Sequence, residues 1–362
     1  QPWINVSQVA CFSLSAYTDM GLLNYLCFML LMCFYLLVIC SNLFLMVVIC
    51  MNRSLQEPMY MFLLSLLVSE LYGSTGLLPF LLVQILSDLH TVAAPLCFLQ
   101  IFCIYMYTGV EFFNLTVMSY DRYVAICDPL HYRSRMTPQK AAVLISASWF
   151  SCFLLGVALI SLTAPLQLCG NTISKVYLHF INKLYCDAYL VVKLSCSDTT
   201  GLNIYELIAT FSTIIGTLVS ILYTYMKIFL VCSSGSQQTR QKAVSTCSPP
   251  HLASILNFSI GASFEILQSR FDVNNMPNVL RIFLSLYFLM VPPLVSPLMY
   301  GLKMSKIRFV CFGTVCCIFL LSINMSENTS YSTTWHKTTH SSKCSVCCKV
   351  LQMWYQKIKT VY

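Results

Sequence analysis

Residues 97–127 read CFLQIFCIYMYTGVEFFNLTVMSYDRYVAIC, a long apolar run that ends in an adjacent aspartate and arginine, Asp121 and Arg122. About 20 consecutive, mostly apolar residues are enough to cross a bilayer as a helix. A charge beside such a run is costly unless it reaches the membrane interface or finds a partner. The stretch therefore predicts a membrane-spanning helix whose terminal charges, Asp121 and Arg122, have a structural or functional role.

The same kind of apolar run occurs seven times along the chain. Overall, 57% of the residues are hydrophobic and only 9% are charged, whereas a soluble domain carries about a quarter charged residues. The runs are too long for the strands of a membrane β-barrel, which span in about 10 residues. We predict an all-α membrane protein, a seven-transmembrane helix bundle with spans at about residues 25–50, 59–83, 96–122, 141–163, 203–232, 244–268 and 278–301.

The distribution of Lys and Arg predicts the orientation of this bundle. Basic residues concentrate on one side, from Arg53 and Arg133 to Lys303 and Arg308, and such an excess marks the cytoplasmic side. The N-terminus is then outside and the C-terminus cytoplasmic. The net charge of +8 fits this bias better than a nucleic-acid partner. The triplet Asn5-Val6-Ser7 becomes an external glycosylation acceptor.

The chain has 20 cysteines, most of them inside the apolar runs, where cysteine packs as a small, soft residue. An external location permits disulfides. A bridge from Cys97 to the loop between the fourth and fifth helices would hold that loop over the mouth of the bundle. The residues alone do not choose its partner among the external cysteines, which are Cys11, Cys97, Cys169, Cys186 and Cys196.

Several polar residues lie inside predicted spans. Asn42, Glu70 and Glu111 fall within the first three helices, and ionisable groups at such depth are functional candidates because burying them is costly. They form either a cation or proton site or a polar cluster that joins helices. Glu265, near the outer end of the sixth helix, either faces a ligand cavity or reaches the headgroup region.

The Asp121–Arg122 pair also has two readings. Arg122 can extend to the interface with Asp121 as its neutralising neighbour. Alternatively, an arginine held by a carboxylate at a helix end can be released to bind another group, which gives a two-state switch. Physical reasoning on the residues alone leaves both readings open.

Four segments, taken together, resemble the signatures of odorant receptors, which belong to the rhodopsin-like G-protein-coupled receptors. The resemblance covers about residues 20–310, and the segments LNFSIGASFEILQSRF and PNVLRIFLSLYF are most similar to fish receptors. The four segments are PMYMFL at 58–63, MSYDRYVAICDPLHY at 118–132, KAVSTCSPPHL at 242–252 and PPLVSPLMYGLK at 292–303.

The resemblance implies roles for individual residues. It implies disulfides Cys97–Cys186 and Cys169–Cys196, and no cofactor beyond a sodium ion held in a polar core. The remaining assignments fall into three groups: Asp121, Arg122, Tyr123, Pro297 and Tyr300 for activation and G-protein coupling; Ile104, Tyr105, Thr108, Ser259 and Glu265 for ligand binding; Asn42, Glu70, Glu111 and Ser296 for the polar core.

Two departures from the family pattern are expected to matter. Ser296 stands where the family has asparagine, which weakens the expected coupling between Arg122 and the last helix. Pro249-Pro250 adds a proline at the start of the sixth helix, and one extra residue would rotate an unbroken helix by about 100°.

The chain divides into four expected regions. Residues 1–24 form an external N-terminus and 25–302 the receptor bundle. Residues 303–323 form a juxtamembrane helix followed by an apolar segment. The polar cytoplasmic tail, 324–362, is expected to be disordered or an extension foreign to the family.

These observations predict an odorant receptor of the plasma membrane, located by resemblance in the cilia of olfactory sensory neurons. A small ligand binds within the bundle, and the expected partners are a heterotrimeric G protein of the stimulatory olfactory type, leading to cAMP, and membrane lipid. A non-olfactory rhodopsin-like receptor is the alternative. A secondary transporter would show internal repeats, which the sequence lacks, and an enzyme is disfavoured because no nucleophile and base pair stands out.

Overall fold

The computed structural model gives seven helices of 22 residues or more in the part of the chain it describes. That part consists of residues 11–14, 17, 21–52, 55, 57–166, 171–173, 176–181, 183–196, 198–234, 249–270, 278–304, 306–311 and 313. The elements in order are β1 (Cys11–Leu14), α1 (Leu22–Met51), α2 (Pro58–Ile85), β2 (Thr91–Ala93), α3 (Ala94–Cys127), α4 (Tyr132–Arg135), α5 (Pro138–Thr163), β3 (Asn171–Ile173), β4 (Val176–Ile181), α6 (Ala188–Lys193), α7 (Thr200–Ser234), α8 (Pro249–Arg270) and α9 (Asn278–Lys303).

The long helices begin where the local sequence favours a helix start. Proline is the first residue of α2 and α5, a position whose N–H needs no helical partner. Thr137 caps α5 by accepting from the backbone N–H of Lys140 at 3.2 Å. Helix α8 begins at Pro249 itself. The second proline, Pro250, therefore lies in the first turn of the helix as described.

Helix α3 is the centre of the bundle, since it packs against α2, α5, α7 and α8. The approach of α2 to α3 is close: a Cβ at Gly73 would lie 2.6 Å from the Tyr107 ring. Among the described residues, α1, α2, α3, α5 and α7 are each long and apolar enough to cross a membrane. Helix α3 therefore runs through the centre of the bundle from one end to the other.

One end of the bundle carries a four-stranded sheet that the sequence did not predict, with strand order β2-β1-β4-β3. Strand β1 pairs antiparallel with β2 and parallel with β4, with Phe12 opposite Val92 and His179. Phe12 and Leu14 are fully buried. We call this the sheet end, and the opposite end, which contains the last turns of α3, the Arg122 end.

Candidate functional site

A cavity of about 160 Å³ lies beneath the sheet end, between α3, α5, α7 and α8. Its wall is largely apolar, with residues such as Ile101, Leu159 and Ile266. Four of the residues expected to bind a ligand line it: Ile104, Tyr105, Thr108 and Glu265. The cavity is smaller than the pockets that hold drug-sized ligands, about 300–1,000 Å³, so it suits a small molecule.

The roof of the cavity is the segment Tyr185–Asp187, and a disulfide joins this segment to the start of α3. Cys97 and Cys186 are bonded, as the resemblance implied. The backbone N–H of Cys186 donates to Oε1 of Gln100 at 3.3 Å, and Tyr185, Cys186 and Asp187 all line the cavity. The loop is therefore fixed over the bundle as the position of Cys97 suggested.

A buried ion cluster connects this roof to α8. Nζ of Lys183 lies 2.9 Å from Asp187 Oδ2 and 2.5 Å from Glu265 Oε1. The Tyr185 hydroxyl donates to the same Glu265 oxygen at 2.5 Å. Burial by itself lowers the pKa of Lys183, but the Asp187 and Glu265 carboxylates outweigh it and raise that pKa above 10.5. Lys183 is therefore a cation at every physiological pH.

The segment before α1 adds a further contact to the roof. The Tyr17 hydroxyl donates to the carbonyl oxygen of Leu184 at 2.9 Å, and the Tyr17 ring stacks on His90 with centroids 4.6 Å apart. Burial raises the pKa of the Tyr17 hydroxyl, so the group remains a neutral donor. The loop is thus held by two contacts: the hydrogen bond from Tyr17 to Leu184 and the disulfide between Cys186 and Cys97.

The third cavity carboxylate is Glu206, on the second turn of α7. Its side chain is buried, with 5% of the residue exposed, and its Oε1 accepts from the Tyr105 hydroxyl at 2.5 Å. Sequence reasoning missed this residue, although it is the one carboxylate in the apolar run at 203–232. The rule that singled out Glu70 and Glu111, a charge within a span, would also have found Glu206.

Aromatic rings close the floor of the cavity. Phe112 lines the cavity and packs edge-to-face on Phe258, with ring centroids 4.9 Å apart. Ser259 follows Phe258 on α8 and is not among the residues that line the cavity. Its expected ligand contact stays a prediction, and Ala262 and Glu265, further along the helix, line the cavity from α8.

Below the floor, the polar core residues are buried but divided between two groups. Nδ2 of Asn42 donates to the carbonyl oxygen of Pro293 at 2.8 Å and so joins α1 to α9. Ser69 donates to the Glu111 carboxyl, while Glu70 has Glu111 and Ser296 as electrostatic neighbours. Two neighbouring buried carboxylates repel each other if both are charged. Either a cation lies between them or one of them carries a proton.

At the Arg122 end, Asp121 is buried and its Oδ1 accepts from the Tyr132 hydroxyl of α4 at 2.9 Å. Burial, reinforced by the Asp121 charge, raises the pKa of Tyr132, which keeps that hydroxyl protonated. Arg122 acts electrostatically on Asp121. Tyr123 packs against Ile228 and Cys232 of α7. The motif thus links α3 to α4 and α7.

The last helix reaches the same region. Tyr300 of α9 is buried, and its hydroxyl interacts electrostatically with Arg122 and Tyr225. Pro297 lies within α9 with Pro292 and Pro293. Ser296 is 4% exposed, beside Glu70. The serine therefore occupies the polar core, with a hydroxyl where the family has an amide.

Some expected sites lie outside the described residues. They are the glycosylation acceptor Asn5, Cys169 of the second implied disulfide, and the tail after Gly313. Cys196, the other cysteine of that implied bridge, is disulfide-bonded. In the part of the chain that the structure describes, no group of three or more His, Cys, Asp or Glu side chains is arranged to hold a metal ion.

Comparison with known proteins gives one consistent family. A family model described as "Olfactory receptor" matches residues 30–317. The chain is 32% identical to human olfactory receptor 10A6 over 305 residues, which cover 84% of this chain and 94% of the relative. It is 30% identical to mouse olfactory receptor 8U3 over 316 residues, covering 84% and 92% respectively. The reported relatives are mammalian, so the likeness to fish receptors stays a prediction.

Proposed function

The chain belongs to the olfactory receptor family, and we propose that its odorant binds in the cavity beneath the sheet end. Members of this family are multi-pass plasma-membrane receptors that couple odorant binding to a heterotrimeric G protein and cAMP. They are not enzymes. What remains to assign is where this chain binds its ligand and how binding reaches the G protein.

The observation that carries the proposal is that predicted ligand residues lie around one cavity. Ile104, Tyr105 and Thr108 of α3 and Glu265 of α8 are expected ligand residues by family resemblance, and all four line the cavity. The lining combines an apolar wall with a few polar groups, which is the usual composition of a small-molecule site.

We assign the sheet end to the outside and the Arg122 end to the cytoplasm. The Cys97–Cys186 disulfide is the kind of bond that persists in an oxidising exterior, and the excess of Lys and Arg at the opposite end supports the same orientation. The receptor would then stand in the ciliary membrane of sensory neurons, open to odorants from the sheet end.

Activation requires that the ligand bind one helix arrangement more tightly than another. A ligand in the cavity would contact α8 through Glu265 and α3 through Tyr105 and Thr108. At the other end of α3, release of Asp121 from Tyr132 would free Arg122 and Tyr123 for the G protein. Pro297 and Tyr300 would transmit the same change through α9, with Tyr300 acting on Arg122.

The polar core is the proposed site of charge compensation between these ends. Glu70 and Glu111 are both buried and neighbour each other, so a sodium ion or a shared proton is needed to hold them together. Ser296 adjoins Glu70, and Asn42 joins α1 to α9 at Pro293, about one turn before Ser296.

The proposal is tested in cells that carry the olfactory G protein, by measuring surface display and odorant-induced cAMP for the chain and for Arg122→Ala. We expect odorants to raise cAMP through the unaltered receptor, and Arg122→Ala to abolish that rise at equal surface display. A displayed receptor that answers no odorant class, or one whose response survives Arg122→Ala, would contradict the proposed coupling.

A further inference from the structure

Strand β1, near the N-terminus, has one face buried in the protein. The strand lies between β2 and β4 in the sheet and packs against α3. Its side chains alternate in exposure: Phe12 and Leu14 are fully buried, while Cys11 and Ser13 are only partly buried. The sheet therefore directs Phe12 and Leu14 into the protein and Ser13 away from it.

The buried face of β1 belongs to the hydrophobic cluster that forms part of the cavity wall. Phe12 and Leu14 share this cluster with Ile101 of α3 and Leu159 of α5. Ile101 and Leu159 line the cavity, and Phe12 does not. Phe12 thus lies behind the apolar wall, where it would affect a ligand only through the residues in front of it.

Close packing makes the position of this wall depend on the size of the side chains behind it. Protein interiors contain few voids larger than a water molecule. When a buried side chain is shortened, its neighbours move part of the way into the space left, and when it is enlarged, they are displaced. A smaller residue in place of Phe12 should therefore let Ile101 and Leu159 withdraw from the cavity, and a larger residue should push them inward.

Two contacts that hold the sheet end in place do not involve the Phe12 side chain. Strand β1 pairs with its neighbours through the backbone, with Phe12 opposite Val92 and His179. The Cys97–Cys186 disulfide lies in the same hydrophobic cluster. A substitution of Phe12 therefore changes the volume behind the wall without removing either of these restraints.

We propose that Phe12 is a positioning residue of the odorant site: through Ile101 and Leu159, its volume sets the longest hydrocarbon chain that the cavity accepts. The inference rests on the proposed function, because it concerns the ligand range of the same cavity. It gives the N-terminal strand a part in odorant selection, although no residue of β1 lines the cavity.

The experiment measures cAMP responses to straight-chain alcohols, aldehydes, carboxylic acids and amines, each series running from the butyl to the decyl member. The receptors are the unaltered chain, Phe12→Leu, Phe12→Trp and Ser13→Ala, each corrected for surface display. Ser13→Ala is the matched control, because Ser13 is the next residue of β1 and lies on its opposite face. The quantity compared is the chain length that gives the lowest half-maximal concentration.

We expect the preferred chain to be longer in Phe12→Leu and shorter in Phe12→Trp, with no change in Ser13→Ala. Each methylene that gains or loses its place in the cavity should change the half-maximal concentration about fourfold. The opposite directions of the two shifts separate a positioning role from a structural one, since a general loss of stability would weaken the responses to all chain lengths alike.

An unchanged preferred length in a displayed Phe12→Leu receptor, or a uniform loss of response in both Phe12 variants, would overturn the inference and leave the odorant receptor intact. If either Phe12 variant fails to reach the surface, the shift towards longer chains is required of Leu14→Val, which removes one methylene from the same face of β1. A displayed, unaltered receptor that answers none of the four series would contradict the proposed function and this inference with it.

Discussion

The two ends of the bundle are held by different kinds of contact. At the sheet end, the roof segment is fixed by a disulfide, a buried ion cluster and a sheet that includes the N-terminal strand. At the Arg122 end, the described ion pairs are at least partly exposed, as for Lys306 with Glu57, and α3 is joined to α4 by the part-buried hydrogen bond from Tyr132 to Asp121. The sheet end is therefore the more strongly cross-linked of the two ends, and we expect rearrangement to be easier at the Arg122 end.

The largest effect is expected from breaking the disulfide. Cys97→Ser should cost about 5 kcal/mol, since a bond between cysteines 89 residues apart restricts the unfolded chain, and the change also releases the roof of the cavity. We expect surface display and odorant response to be lost together. Cys33→Ser, a change at an exposed free cysteine of α1, should leave both intact. Normal display of Cys97→Ser would show that the roof is held by other contacts.

The next effect concerns the ion cluster. Lys183→Met leaves the Asp187 and Glu265 carboxylates without their shared cation, and removal of one partner from a buried pair costs about 3–5 kcal/mol. Thermal unfolding of the purified receptor should show a lowered Tm. Lys193→Met, at an exposed lysine of α6, is the matched control and should leave the Tm unchanged. Equal Tm values for the two variants would contradict a structural role for the cluster.

The same cluster predicts how stability depends on pH. Because the pKa of Lys183 is raised above 10.5, the contribution of Lys183 is fully present below pH 10.5 and is lost only as the pH rises through the folded value. Between pH 7 and pH 9, the Tm difference between the unaltered receptor and Lys183→Met should therefore stay constant. A difference that shrinks over this range would mean that Lys183 loses its proton much earlier.

A smaller effect is expected at the other end. Tyr132→Phe removes the hydrogen bond to Asp121, worth about 1–3 kcal/mol, and frees the Arg122 end to rearrange. Basal cAMP should rise several-fold while display is preserved. Tyr120→Phe changes an exposed tyrosine of the same segment and should leave basal cAMP unaltered. Identical basal levels in the two variants would exclude this bond as a restraint.

The smallest effect is expected from the exposed pair of Lys306 and Glu57, whose side chains are 56% and 53% exposed. Pairs of this kind contribute about 0–1 kcal/mol. Lys306→Ala should change neither the Tm nor basal cAMP measurably. A clear rise in basal cAMP would show that this contact, and not the bond of Tyr132, restrains the Arg122 end.

The two ends also differ in how far the sequence predicted them. The bundle followed from apolar runs, because crossing a membrane imposes length and composition on each helix, and the Cys97–Cys186 bond followed from the family pattern. The sheet did not, since Phe12 pairs with Val92 and His179, and no local pattern specifies pairings between residues so far apart in the chain.

The acidic part of the cavity was only partly predictable for a similar reason. Glu265 was found as a charge near a helix end, and Glu206 could have been found by the same rule. That Lys183 joins Asp187 to Glu265 depends on where the disulfide places the loop. The ligand contact expected of Ser259 stays a prediction, since Ser259 is not among the residues that line the cavity.

The most direct test of the central claim, that the odorant binds beneath the sheet end, is to fill the cavity. Thr108→Phe places a ring in the space that Thr108 now lines, while Leu222→Phe adds a ring at a position of α7 that is 62% exposed. The quantity to measure is odorant-induced cAMP at equal surface display. We predict that Thr108→Phe abolishes the response and retains basal cAMP, and that Leu222→Phe responds fully. A full response from Thr108→Phe would place the odorant elsewhere and contradict the account.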